Sequence, residues 1–340
     1  MDSRKNSKLK IEWIDLSRGF AIVLMILCHS MEWYSSALGT ELWLLPLLYS
    51  FHIPLFFLIS GLLFSSEKTF GVFLIKMIKS FLLPYITFSC IIEFCNFIKI
   101  YLFGSIDTID FAENIKSLII QNHYNLLWFI LTLMLVKIIS FFICKIKNLK
   151  AIFIISLVII VLAYLYKKFV NIQLFWCLDE IIYALPFFLF GYLLKASGAF
   201  EKLFNIKYSL LYLAAGVIAN VVNHKLNPEI KYVNMFKCDF GNIFVYYISA
   251  VFMILFFISI TKKIHHIKIV NYIGQHSLVY YGLHLVAFQF IFHFLQPVFD
   301  GSVIMYIVLN IVSTILVLLI MTVVSLIFSK KPFSYFIGKF

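Results

Sequence analysis

The sequence predicts an all-α polytopic integral membrane protein of about ten transmembrane helices, with both termini on the cytoplasmic side. Three observations carry that prediction. The chain of 340 residues is 63% hydrophobic and only 13% charged, where soluble domains run to about a quarter charged. Its apolar runs reach the roughly 20 residues that a helix needs to cross a hydrocarbon core. Its lysines and arginines fall in the short breaks between those runs and not on one shared face. A net charge of +12 therefore speaks for cytoplasmic loops under the positive-inside rule and not for a nucleic-acid partner.

Taken in order, the apolar runs place spans at about 13–33, 42–64, 80–103, 126–144, 150–166, 174–194, 207–223, 241–261, 275–296 and 303–329. Residues 150–166 are short for a full crossing, and 71–79 (GVFLIKMIK) read as an amphipathic interfacial helix ahead of the third span. With the N-terminus inside, the cytoplasmic segments hold nineteen Lys and Arg, and the opposite side holds seven. That asymmetry orients the chain N-in and C-in. No internal repeat, long linker or low-complexity tract breaks the pattern, so residues 1–340 read as a single integral-membrane domain.

The six cysteines form no CxxC pair and no Cys/His cluster with metal spacing, so neither a disulfide framework nor a metal site is expected. A cleavable signal peptide competes for the first run: Arg4, Lys5, Lys8 and Lys10 precede it, and Ser35-Ser36-Ala37 passes for a weak cleavage site. Asp15 and Arg18 interrupt its start, and the run reads as a retained helix.

That first run carries the strongest functional signal, R-G-F-A-I-V-L-M-I-L-C-H from Arg18 to His29. Eleven residues of helix are about 16 Å along the axis and about 20° beyond three full turns, so both side chains point from one stripe, with Ile22 and Met25 between them. Asp15, one turn before Arg18, is placed to orient it. A guanidinium suits phosphate, and an imidazole suits proton transfer near neutral pH. A ligand with a phosphorylated end and a reactive end, such as an acyl-coenzyme A, fits that ruler. The same residues also permit a plain reading, in which Arg18 snorkels to the headgroups and His29 bonds a neighbouring helix.

W-I-D-L-S-R-G-F-A-I-V-L-M-I-L-C-H-S, followed by F-H-I-P-L-F-F-L-I-S-G, resembles the opening of the membrane-bound acyltransferase family 3. The closest resemblance is to its fucose 4-O-acetylase-like branch. L-L-P-Y at 82–85, L-W-F at 127–129, L-P-F-F-L-F-G-Y at 185–192 and Y-I-G-Q-H-S-L…H between 272 and 284 continue it in the expected order. The resemblance implies a ten-helix enzyme that moves an acyl group, usually acetyl from acetyl-CoA, onto hydroxyls of cell-envelope glycans. It implies His29 as the catalytic residue and Arg18 as a structural or CoA-side residue. One departure stands out: where the family often has arginines before L-x-x-P-Y, this chain has Lys76, Lys79 and Ser80. The cation is kept and the bidentate fork is lost, so no role is carried onto those positions.

Further candidates are intramembrane polar residues, each with a structural reading beside the functional one. His52 lies about 15 Å into the second span if that helix descends from outside, near Pro54, and either lines the same cavity or is structural. His284 in the ninth span and Glu93 in the third are cavity candidates, with interhelical hydrogen bonds as the alternative. Asp179, beside Glu180, is either interfacial or functional. Trp128 reads as packing or interface. The expected protein is an O-acetyltransferase of a bacterial cytoplasmic membrane. Its acceptor is a glycan or lipid-linked sugar, acetyl-CoA is its donor substrate, and no cofactor or metal is permanently bound. The alternative is a proton-coupled transporter or flippase of an envelope precursor, using the same histidines and acids.

Overall fold

The computed structural model describes residues 2–38, 44–65, 69–103, 111–121 and 127–338. Among these the secondary structure is helical throughout, with one isolated bridge between Asn234 and Asp239 and no strand. Among the described residues nine helices are long and apolar enough to cross a membrane: Glu12–Ser35, Leu44–Leu62, Phe70–Lys99, Leu149–Phe169, Phe175–Ala196, Ile206–Leu226, Ile243–Ile264, Ser277–Val298 and Val303–Phe328. Trp128–Ile143, 16 residues long, is a shorter apolar helix between the third and fourth of these. The protein is a multi-pass membrane protein, and the ten helices are numbered below as spans 1 to 10 in chain order.

Two local expectations change. Residues 71–79 do not form a separate helix, because Phe70–Lys99 runs without a break. It passes through a π-helical turn at Ile78–Leu82, where the Leu83 N–H reaches back to the carbonyl of Ile78. Pro84 explains the turn: it has no N–H for the carbonyl of Ser80, and its ring crowds that carbonyl, so the helix widens there. Span 5 is also longer than its apolar run, at 21 residues: Asn148 caps its start by accepting the N–H groups of Lys150 and Ala151, and the helix continues to Phe169 at the other end.

Spans 1, 2 and 6 are mostly buried within the protein, whereas spans 3, 5, 7 and 10 turn most of their surface outward. Exposed Ile154, Leu157 and Val161 on span 5 suit a hydrocarbon solvent. Glycine sets the closest approach in the core. A Cβ on Gly61 would land on the carbonyl of Phe188, and one on Gly191 would land on the carbonyl of Leu58. Spans 2 and 6 thus meet backbone to backbone, as small residues allow in membranes. Gly19 of span 1 packs in the same way against Val270 in the short helix Lys268–Gln275. These contacts hold the inner face of span 1 against its neighbours.

Candidate active site

His29, His52 and His284 line one cavity of about 630 Å³, together with Glu32, Tyr49 and Trp128. They come from spans 1, 2 and 9, which the core packing brings together. The rings of His29 and His284 lie 5.3 Å apart between centroids. Tyr49 stands between the other pair, its ring 6.4 Å from His29 and 5.1 Å from His52, edge-on to both. Residues Asn234 to Lys237, from the loop between spans 7 and 8, close another side. That loop is pinned by reciprocal backbone hydrogen bonds between Asn234 and Asp239, at 2.8 and 2.9 Å.

The hydrogen bonds assign protons. Nδ1 of His52 is 2.8 Å from the carbonyl of Leu48, and Nδ1 of His284 is 2.8 Å from the carbonyl of Tyr281. A carbonyl only accepts, so in both rings Nδ1 carries the proton and Nε2 keeps a lone pair. Nε2 of His284 is buried and has no hydrogen-bond partner among the described residues. His29 differs in having a carboxylate as its neighbour, with Oε2 of Glu32 3.5 Å from its Nδ1. The same carboxylate accepts the hydroxyl of Tyr49 at 2.8 Å and, on its other oxygen, the hydroxyl of Tyr232 from the loop. Glu32 therefore ties span 1 to span 2 and to the loop while facing His29. A carboxylate on Nδ1 leaves Nε2 of His29 as the basic nitrogen.

Arg18 lies farther along the same stripe and lines a second cavity of about 220 Å³. Its guanidinium is 3.9 Å from Asp15, which also accepts a hydrogen bond from the Gln275 side chain at 3.2 Å. Ile53 and Tyr281 border both cavities, so the two chambers adjoin. Glu93 is not in the histidine cavity. It lines a neighbouring one of about 330 Å³ that shares Phe236, Tyr281 and Leu285 with it.

Asp179 is also elsewhere. It accepts the Leu174 N–H at 3.0 Å and the Cys238 thiol at 3.6 Å, which fastens the loop to the start of span 6. Burial first, then the charges of Glu180 and Asp179, push that thiol up, so it stays a donor. Glu180 is buried and accepts the Thr132 hydroxyl at 3.2 Å. Among the described residues no cluster of His, Cys, Asp or Glu has the arrangement of a metal site.

The sequence reading missed Glu32, Tyr49 and Tyr232, treated Trp128 as packing or interface, and passed over Lys137, which lines the Arg18 cavity. Glu32 and Lys137 carried a visible signal, since each is a charged residue within an apolar helix.

The sequence pattern of a family described as an acyltransferase domain, acyltransferase family 3, matches residues 11–330. The chain belongs to this acyltransferase family. Membership covers nearly the whole chain and brings membrane acyltransferase chemistry with it. Comparisons with curated proteins and with solved structures found no match. The opening motif, Arg18 to His29, lies inside the matched segment.

Proposed function

We propose that the protein is a membrane O-acetyltransferase of the fucose 4-O-acetylase-like branch. It moves acetyl from acetyl-CoA to a hydroxyl of a cell-envelope sugar, with His29 as the base. The observation that carries this reading is the pairing of His29 with Glu32 on the wall of a cavity large enough for a sugar. Nε2 of His29 takes the proton of the acceptor hydroxyl as its oxygen attacks the thioester carbonyl. The carbon–sulfur bond then breaks, and the imidazolium returns the proton to the departing thiolate, so protons balance over the cycle. Glu32 holds the tautomer and stabilises the imidazolium while it lasts. Nε2 of His284 and of His52 are acceptors for neighbouring sugar hydroxyls. In the relay variant, His29 is itself acylated through Nε2 before the sugar attacks.

The donor enters from the cytoplasm with its phosphates toward Arg18, which the N-in orientation of a bacterial cytoplasmic membrane places on that side. The 16 Å or so between Arg18 and His29 spans from phosphate to thioester. The test uses membranes with the wild-type protein or His29→Ala, given acetyl-CoA labelled in its acetyl group. Label in the glycan or glycolipid fraction with wild type, reduced at least ~10²-fold in His29→Ala, is the expected result. Equal labelling removes His29 from the mechanism. No labelling in either sample, with protein and acceptors present, returns the transporter reading.

A further inference from the structure

The cavity at Arg18 holds more positive charge than its walls balance. Lys137 reaches it from span 4, a helix in which it lies about 10 Å from the Cys144 end. Spans that alternate in direction bring that end of span 4 to the same side as the start of span 1. Among the described residues that line the cavity there is no carboxylate. Asp15 lies outside it and offsets Arg18. The ammonium of Lys137 sits 5.2 Å from the centre of the Phe81 ring, and the other charged group that lines its cavity is Arg18. A cation left without a counter-charge at this depth is costly and marks a functional site.

The remaining lining is that of an anion site. Ser60, Ser80 and Ser277 bring hydroxyls. Ser80 and Phe81 line the cavity from the π-helical turn of span 3. Ser277 and Leu278 are the first two residues of the helix of span 9, so its positive end also faces the cavity. The volume of about 220 Å³ holds about seven waters at roughly 30 Å³ each, enough for a diphosphate.

We propose that this cavity binds a diphosphate and that Lys137 supplies its second cation beside Arg18. Under the acyl-CoA reading above, on which this part rests, the diphosphate is that of the donor. Lys137 then sets the affinity for the donor and leaves the acceptor untouched.

The experiment is calorimetric titration of the full-length protein in detergent with inorganic pyrophosphate and, separately, with coenzyme A. Wild type, Lys137→Met and Lys137→Arg are compared, with the unfolding temperature of each ligand-free protein. Both ligands should bind wild type, Lys137→Met should weaken both by about tenfold to a hundredfold, and Lys137→Arg should restore most of it. Ligand-free Lys137→Met should be at least as heat-stable as wild type, because removing an unbalanced cation relieves the fold. Lys137-dependent binding of pyrophosphate without any binding of coenzyme A keeps the anion site and discards the acyl-CoA donor. Equal affinities in wild type and Lys137→Met, or no binding of either ligand to wild type, overturn the site. A lower unfolding temperature for Lys137→Met, with Lys137→Arg also unable to bind, makes Lys137 structural and overturns it too.

Discussion

Glu32 shows how much a single side chain organises here. Its carboxylate meets Nδ1 of His29 and two tyrosine hydroxyls from separate parts of the chain, one of them 200 residues away. Replacing it with Gln keeps an acceptor for the tyrosines but removes the charge that stabilises an imidazolium. It also presents an amide that can turn the ring's tautomer around. Acetyl transfer by Glu32→Gln should therefore fall roughly 10²-fold or more, measured as turnover of labelled acetyl-CoA, with the KM for acetyl-CoA near wild type. Wild-type turnover would sink the pairing as a functional one. Tyr232→Phe removes one of several bonds to the carboxylate and should cost less than Glu32→Gln in the same assay; an equal loss would mean that the loop, not the carboxylate, positions His29. The i, i+3 spacing of His29 and Glu32 was legible in the sequence. That Tyr49 and Tyr232 converge on Glu32 was not, because nothing local relates them.

At the scale of elements, the close approach of spans 2 and 6 is the contact most exposed to test. A methyl at Gly191 would meet the carbonyl of Leu58, a backbone atom that cannot move aside. Gly191→Ala should destabilise the protein by about 1–3 kcal/mol, read as unfolding in detergent. Gly71→Ala is the matched control, since a Cβ there meets nothing within 4 Å, and it should cause no loss. If the two variants unfold alike, the packing of spans 2 and 6 does not govern stability. Helix type and order were readable from apolar length alone. The π-helical turn before Pro84 was not foreseen as such, although the proline that causes it was in view. The separate interfacial helix at 71–79 was expected from its amphipathic pattern, and the continuous backbone of span 3 overrides it.

For the whole molecule, the chambers at Arg18 and His29 lie along one helix and adjoin at Ile53 and Tyr281. The loop at 234–237 bounds the histidine chamber at the other end. A donor and an acceptor can thus approach from opposite sides, provided the start of span 1 faces the cytoplasm. The lysine count predicts that it does. A fluorescent protein fused after residue 340 should then fluoresce in cells, and alkaline phosphatase fused there should stay inactive. With ten crossings, an active phosphatase would invert the topology and place Arg18 away from any cytoplasmic donor.

By itself the sequence determined the membrane class, the apolar helices and the stripe that aligns Arg18 with His29, because these depend on composition and helical period within one segment. Only the tertiary structure decided which distant residues share a chamber. It set His52 and His284 beside His29, moved Glu93 to an adjoining cavity, gave Asp179 to the loop and brought Lys137 to Arg18. The reason is physical: helical periodicity says which face a side chain takes, but the neighbour on that face depends on how the helices pack.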